Sequence, residues 1–424
     1  MRVAIAAPAF VLLLALAAPI PALSQESGLG QSVESLIDYA RKHNPEFAAM
    51  RLDADAARER VYPAGALPDP VLRTELQNVT NAGSDASPNV LPGRVGSTKY
   101  TLIQPLPFWG KRGLRREAAE AEAEVAQAKA GVTWTEQTAR IKTAYAQYFA
   151  VSRLIQLNRE VISLIDHIES ITQARYAGGL VPQQDAIRVQ VERTAMKNEL
   201  IQMETEHHHA HSRLNALLAR PQPSPLATPE RLRPVPAAAK LDFVALEDRL
   251  RSKNPQLFAD SARIRAAEKN RDLAYRNRYP DFSVGVSPMQ TGNRVNEWEL
   301  MLELNIPLQQ ESRRSQEREA EKIADAARAR KEATANQLLA DLAENLAGID
   351  AARRSEMLLQ TSLLPQAELS FRAALAGYET GKLDFATLLD AQRQIRKAKQ
   401  DMVKVQAEQQ ARLAEIEKLI GEEL

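Results

Sequence analysis

ARKHNPE, residues 40–46, and RLRSKNPQ, residues 249–256, are two versions of one motif, aligned on Asn44-Pro45 and Asn254-Pro255. Working outward, Leu67-Pro68-Asp69 matches Tyr279-Pro280-Asp281, and Gln104-Pro105-Leu106-Pro107-Phe108 matches Leu304-Asn305-Ile306-Pro307-Leu308. Last, Arg175-Tyr176-Ala177-Gly178-Gly179-Leu180 matches Gly377-Tyr378-Glu379-Thr380-Gly381-Lys382. The order is the same in both halves, so one supersecondary unit is used twice. Six prolines between Pro221 and Pro236 mark the join. The expected division is a leader over 1–24, a first repeat over 25–220, a proline-rich linker over 221–240 and a second repeat over 241–424.

Each repeat changes period in the same sequence: a first helix (about 31–62 and 243–277), two short alternating segments, a very long helix, a glycine turn and a last helix. In Glu297 to Ile306, Trp298, Leu300, Leu302, Leu304 and Ile306 share one face, while Glu297, Glu299, Met301, Glu303 and Asn305 share the other. Phe282, Val284 and Val286 alternate in the same way with Ser283, Gly285 and Ser287. Weaker segments near 70–79 and 96–106 complete two hairpins, with loops near 80–95 and 288–295. Such alternation also fits a half-buried sheet in a soluble protein. Four strands cannot close a barrel alone, so strands that cross a bilayer need other chains; three copies supply twelve.

The helices are long. No proline falls between Leu114 and Arg175, a length of roughly 90 Å as α-helix. Ala118, Val125 and Val132 recur every seven residues, as do Leu388, Ile395 and Met402, so these helices need packing neighbours on both sides. The expected fold class is mainly α with a small β part: long coiled-coil helices pointing to a tube, and four strands per chain.

Arg2, the apolar run Ala9 to Ile20 and Ala22-Leu23-Ser24 read as an export signal with Gln25 as the mature start. That run is shorter than the roughly 20 residues a spanning helix needs. The absence of cysteine removes disulfides, thiolate metal sites and a lipid-anchored cysteine start. With 55 Lys plus Arg against 54 Asp plus Glu, there is no electrostatic footprint for nucleic acid.

At the duplicated Asn-Pro, at QPLPFWGKR (Gln104 to Arg112), at RYAGGLVPQQD (Arg175 to Asp185) and at YETGKLDFATLLDAQ (Tyr378 to Gln392), the chain resembles the TolC-like outer-membrane efflux family. The resemblance covers nearly all of the expected mature chain and is most like the cobalt-zinc-cadmium and copper-silver branch. It implies a homotrimer in outer-membrane lipid, a twelve-stranded transmembrane β-barrel above a twelve-helix coiled-coil α-barrel, a periplasmic adaptor and an inner-membrane pump of the resistance-nodulation-division type. The turns Gly178, Gly179, Leu180 and Gly381, Lys382, Leu383 would dock the adaptor. It further implies an entrance latch in which Asp185 bonds Tyr378, and an entrance carboxylate at Asp390. A second carboxylate expected at the entrance is Thr387 here.

From the residues themselves, Glu297, Glu299 and Glu303 are expected in the lumen if the opposite face meets lipid. His207 and His211 lie four apart, sharing a helix face able to hold a metal through imidazole nitrogen; a solvated polar face is the competing reading. Arg115-Arg116-Glu117 and Arg313 to Glu321 read as solvated faces. No nucleophile elbow, phosphate loop or HExxH is present, so neither enzyme activity nor a cofactor is expected. A periplasmic adaptor, or the same channel in drug efflux or type I protein secretion, remains as an alternative.

Overall fold

The asparagine of each Asn-Pro pair organises its repeat. Because the residue before proline is pushed out of the α region, Asn44 (φ −72, ψ 117) ends α1, Val33–His43, and Asn254 (φ −64, ψ 121) ends α6, Phe243–Lys253. Proline at the first helical position then starts α2, Pro45–Glu59, and α7, Pro255–Arg276. The Asn44 carboxamide oxygen accepts from Glu46 and Phe47 N–H, and that of Asn254 accepts from Leu257 N–H. Their amide nitrogens reach the far ends of their repeats, Asn44 donating to Leu217 O at 3.0 Å and Asn254 to Leu419 O at 2.8 Å. The single first helix expected in each repeat is therefore divided at the motif itself.

The chain is described here by a computed structural model over residues 29–79, 90–92 and 94–424. The expected leader and most of the loop near 80–95 lie outside the described residues. After α3, Val61–Gly65, come β1, Val71–Gln77, and β2, Ser97–Leu106. They are followed by α4, Lys111–Ala177, and α5, Gln183–Leu217. The second repeat runs from α6 and α7 into β3, Asp281–Thr291, β4, Arg294–Asn305, and α8, Gln310–Leu358. It ends with α9, Leu364–Glu379, and α10, Phe385–Ile420. No described helix is long and apolar enough to cross a membrane.

α4 runs unbroken for 67 residues, about 100 Å. Its counterpart does not: a π turn, Leu359–Leu363, separates α8 from α9. Pro365 supplies the reason, since its ring lacks an N–H and crowds the carbonyl four residues back, which a locally widened helix relieves. The loop expected over 288–295 also shrinks. β3 and β4 stay paired to Thr291↔Arg294 around Gly292-Asn293, with Gly292 at φ +65, and a bulge at Met289/Gln290 absorbs the register shift.

The two repeats build matching cores. Leu36, Ile37 and Ala40 of α1 pack with Ile141, Tyr145 and Tyr148 of α4 and Leu214 of α5. Leu246 and Leu250 of α6 pack with Leu342 and Ile349 of α8 and Leu413 and Ile416 of α10. Between them the linker is tied down by charge. Lys142 and Glu417, 5% and 4% exposed at their side chains, meet at 2.8 Å, and Arg233 grips Glu417 with two bonds of 2.9 and 3.0 Å. Burial raises the Glu417 pKa, but Arg233 and Lys142 outweigh it and hold the carboxyl below its ordinary value.

Candidate functional site

The four strands form one antiparallel sheet in the order β1-β2-β3-β4, so the two hairpins meet through β2 and β3. Register then aligns side chains in rows. Leu72 lies opposite Leu102, Leu102 opposite Val286 and Val286 opposite Leu300, an apolar row that culminates in Leu300, 89% exposed. Val284 opposite Leu302 and Phe282 opposite Leu304 extend it. Arg73, Glu75, Lys99, Thr101, Ser287, Glu297, Glu299 and Glu303 occupy the other face, where the Ser287 hydroxyl bonds Thr101 Oγ1 at 2.9 Å. Glu299 forms an ion pair with Lys99, so its charge is compensated within the chain, whereas Glu297 and Glu303 are exposed without an ion pair among the described residues. β1 and β4 each pair on one side only.

At the opposite end of the long helices the two turns have one geometry. Gly179 at φ +70 and Gly381 at φ +77 take the left-handed conformation that a glycine tolerates. Leu180 N–H bonds Arg175 O and Lys382 N–H bonds Gly377 O, each at 2.8 Å, closing both helices in the same way. Leu180, Lys382 and Leu383 are exposed at the tips.

The duplicated tyrosines diverge. Tyr176 is exposed, while Tyr378 is 1% exposed in a cluster with Ile165 and Ile168 of α4, Val189 of α5 and Phe385 and Leu388 of α10. The expected Asp185–Tyr378 bond is not what the structure contains: the Tyr378 hydroxyl lies 2.8 Å from Thr172 Oγ1. Thr172 already donates to Ile168 O at 2.8 Å, so the tyrosine is the donor. The reason for the difference is packing, because the Tyr378 ring is buried against α4 and its hydroxyl must find a partner there. Asp185 sits half-buried in the first turn of α5. Arg175 adds a second tie, its guanidinium 4.8 Å above the Tyr378 ring and donating to the Tyr378 carbonyl.

An ionic seam continues between α5 and α10. Arg393 meets Glu192 and Arg396 meets Glu199, both at 2.6 Å. Asp390 is exposed beside Arg393 in an open groove of about 660 Å³ that Glu192, Arg188, Ile187 and Val191 also line. Thr172, Arg175 and the two Glu–Arg pairs escaped the sequence reading, since each joins residues some two hundred positions apart.

His207 and His211 do share a face of α5, their rings 4.8 and 6.1 Å from the Tyr148 ring. Burial lowers the pKa of both imidazoles, with His211 and His208 adding to the shift of His207 and His208 to that of His211. Among the described residues no group of three or more His, Cys, Asp or Glu is arranged to hold a metal.

The family described as outer membrane efflux protein matches residues 36–220 and 246–422, one segment in each repeat. The chain belongs to that family. This efflux protein is an outer-membrane channel whose helices extend into the periplasm. It is 24% identical over 389 residues to the cobalt-zinc-cadmium resistance protein CzcC of Cupriavidus metallidurans, covering 90% of this chain and 87% of that one. Its fold matches the outer membrane protein VceC of Vibrio cholerae with a TM-score of 0.79 at 17% identity, over 92% of this chain and 96% of the other. It also matches CusC, a protein described through its transmembrane channel formation, with a TM-score of 0.78 at 17% identity, over 94% and 95% of the two chains.

Proposed function

We propose that three copies of the efflux protein join β1 of one chain to β4 of the next, making a twelve-stranded barrel with apolar faces toward lipid and acidic faces toward the pore. The sheet carries this reading: two unpaired edges, an exposed apolar face and a polar face behind it. Within a bilayer every strand edge must be closed, and only neighbouring chains can close these. The helices beneath form the periplasmic conduit of a tripartite pump. Its tips, Gly178 to Leu180 and Gly381 to Leu383, dock an adaptor, and Thr172, Arg175 and Tyr378 hold the entrance closed.

We take the cargo to be heavy-metal cations, delivered by an inner-membrane pump of the resistance-nodulation-division type. The name of CzcC supports this, as does the excess of Glu75, Glu297, Glu299 and Glu303 over Arg73 and Lys99 on the pore face. Deleting the gene is expected to lower growth tolerance to cobalt, zinc or cadmium and to raise cell-associated metal, with both restored by the intact gene. If metal tolerance stays unchanged while tolerance to organic drugs falls, the cargo is drugs and the metal reading is wrong.

A further inference from the structure

Arg115 and Arg116 are exposed, and the segment around them is one-sided. From Pro107 to Arg116 there are four basic residues and no acidic one, in a chain whose formal net charge is +1. This segment joins β2 to α4, at the level where strands hand over to helices. Trp109 stands there 73% exposed. Its ring packs at 5.3 Å on Phe282, which belongs to the apolar face through its pairing with Leu304 and Leu106, and edge-on at 5.6 Å against Phe108. The indole therefore prolongs the lipid-facing surface to its periplasmic rim. Tyr62, Ile306 and Leu308 are exposed at the same junction.

Guanidinium groups flank this rim. Arg276, exposed, lies alongside Gly110, where a β-carbon on that glycine would stand 3.9 Å from its Cζ. Arg112 donates through Nε to Gly65 O at 3.0 Å. Among the described residues neither makes an ion pair, although most arginines near them do: Arg116 meets Glu120, and Arg278 meets Glu317. Arg276 lies beside Gly110, next in the chain to the exposed Trp109, and Arg112 at the adjoining end of α3. Both, without an ion pair among the described residues and at the edge of the face proposed to meet lipid, have a charge complement in a phospholipid headgroup. The phosphate takes the guanidinium fork and the acyl chains run along Phe282 and Leu304, while the amphipathic indole sits at the boundary.

We infer that Arg112, Arg276 and Trp109 form a binding site for anionic phospholipid of the periplasmic leaflet, one per chain, fixing the depth of the barrel in the membrane. The inference rests on the proposed barrel, in which the apolar face of the sheet meets lipid, and not on its cargo or its adaptor.

The test is lipid retention by the intact protein. Wild-type protein reconstituted in vesicles of phosphatidylglycerol and phosphatidylcholine in equal parts is extracted in mild detergent, and its bound lipids are counted by native mass spectrometry. Both lipids carry the phosphate, but the choline cation of phosphatidylcholine opposes a neighbouring guanidinium, so phosphatidylglycerol is expected in excess, by roughly fivefold for each guanidinium at the headgroup. Arg112→Gln with Arg276→Gln should remove the excess while the mass of the assembly is unchanged, and Trp109→Ala should reduce both lipids together. Arg276→Gln alone, at an exposed position, keeps the test open if the double variant does not assemble, and should remove part of the excess. Equal retention of the two lipids by wild type overturns the proposal, as does an excess untouched by Arg276→Gln. So does displacement of the excess by inorganic phosphate alone, which would make the site one for free anions.

Discussion

Tyr378 shows how one side chain is placed by both of its ends. The ring is committed to the apolar cluster at the tip, and the hydroxyl reaches across to Thr172, so one residue of α9 is tied to α4 of the other repeat. A neutral hydrogen bond of this kind contributes about 1 kcal/mol, enough to bias an entrance yet weak enough for a docking partner to reverse. Tyr378→Phe and Thr172→Val are each expected to raise single-channel conductance in planar bilayers, with Asp185→Ala leaving it unchanged. An increase confined to Asp185→Ala would show that the bond to Thr172 does not hold the entrance. His207 and His211 act at the same scale in a different currency. Burial lowers their pKa values from 6.5, so the stability that neutral imidazole contributes is present above about that pH and lost as pH falls through the lowered values.

Elements are joined by the duplicated asparagines. Each caps one helix and satisfies a carbonyl at the end of another, so removing the side chain loses a cap and orphans a buried acceptor. Asn254→Ala should cost about 2–4 kcal/mol of unfolding free energy, and Asn44→Ala about the same, read as a lowered midpoint in denaturant. A cost under 1 kcal/mol at Asn254 would mean that Leu419 O finds another partner. In the sheet, alternation makes neighbouring positions opposite in consequence. Leu302 stands on the apolar face, which the proposed barrel turns to lipid, and Glu303 on the other. An arginine near the bilayer midplane costs roughly 2–4 kcal/mol, so Leu302→Arg should abolish the heat-resistant trimer in detergent extracts that Glu303→Gln retains. The reverse result would mean that the faces have been assigned backwards.

At the scale of the whole molecule, stability depends on the buried charges that join linker, α4 and α10. Glu417 has a pKa below its ordinary 4.5, so its contribution is fully present above that value and lost as pH falls through the lowered one. Replacing it by glutamine leaves Arg233 without its carboxylate and buried Lys142 with the more exposed Glu423 alone at neutral pH, at a cost of about 3 kcal/mol. Thermal melts should therefore separate wild type from Glu417→Gln at pH 7 and bring the two together as the wild-type carboxyl protonates. A gap that persists unchanged at pH 3 would mean that the loss comes from shape and not from charge.

The sequence by itself determined the features that rest on neighbouring residues. Alternation from Trp298 to Ile306 assigned the two faces of β4, because successive side chains in a strand must point in opposite directions. The Asn-Pro pairs, the glycine turns and their order were enough for the family resemblance. Asn44-Pro45 and Asn254-Pro255 also carry the helix breaks locally, because the residue before proline is pushed out of the α region. Only the tertiary structure decided what distant residues do to one another. It gave the Tyr378 hydroxyl to Thr172, 206 positions away, and neutralised Glu299 with Lys99. Backbone preference acts over a few residues, whereas the partner of a buried hydroxyl or a carboxylate depends on which helices and strands pack side by side, and no local pattern carries that.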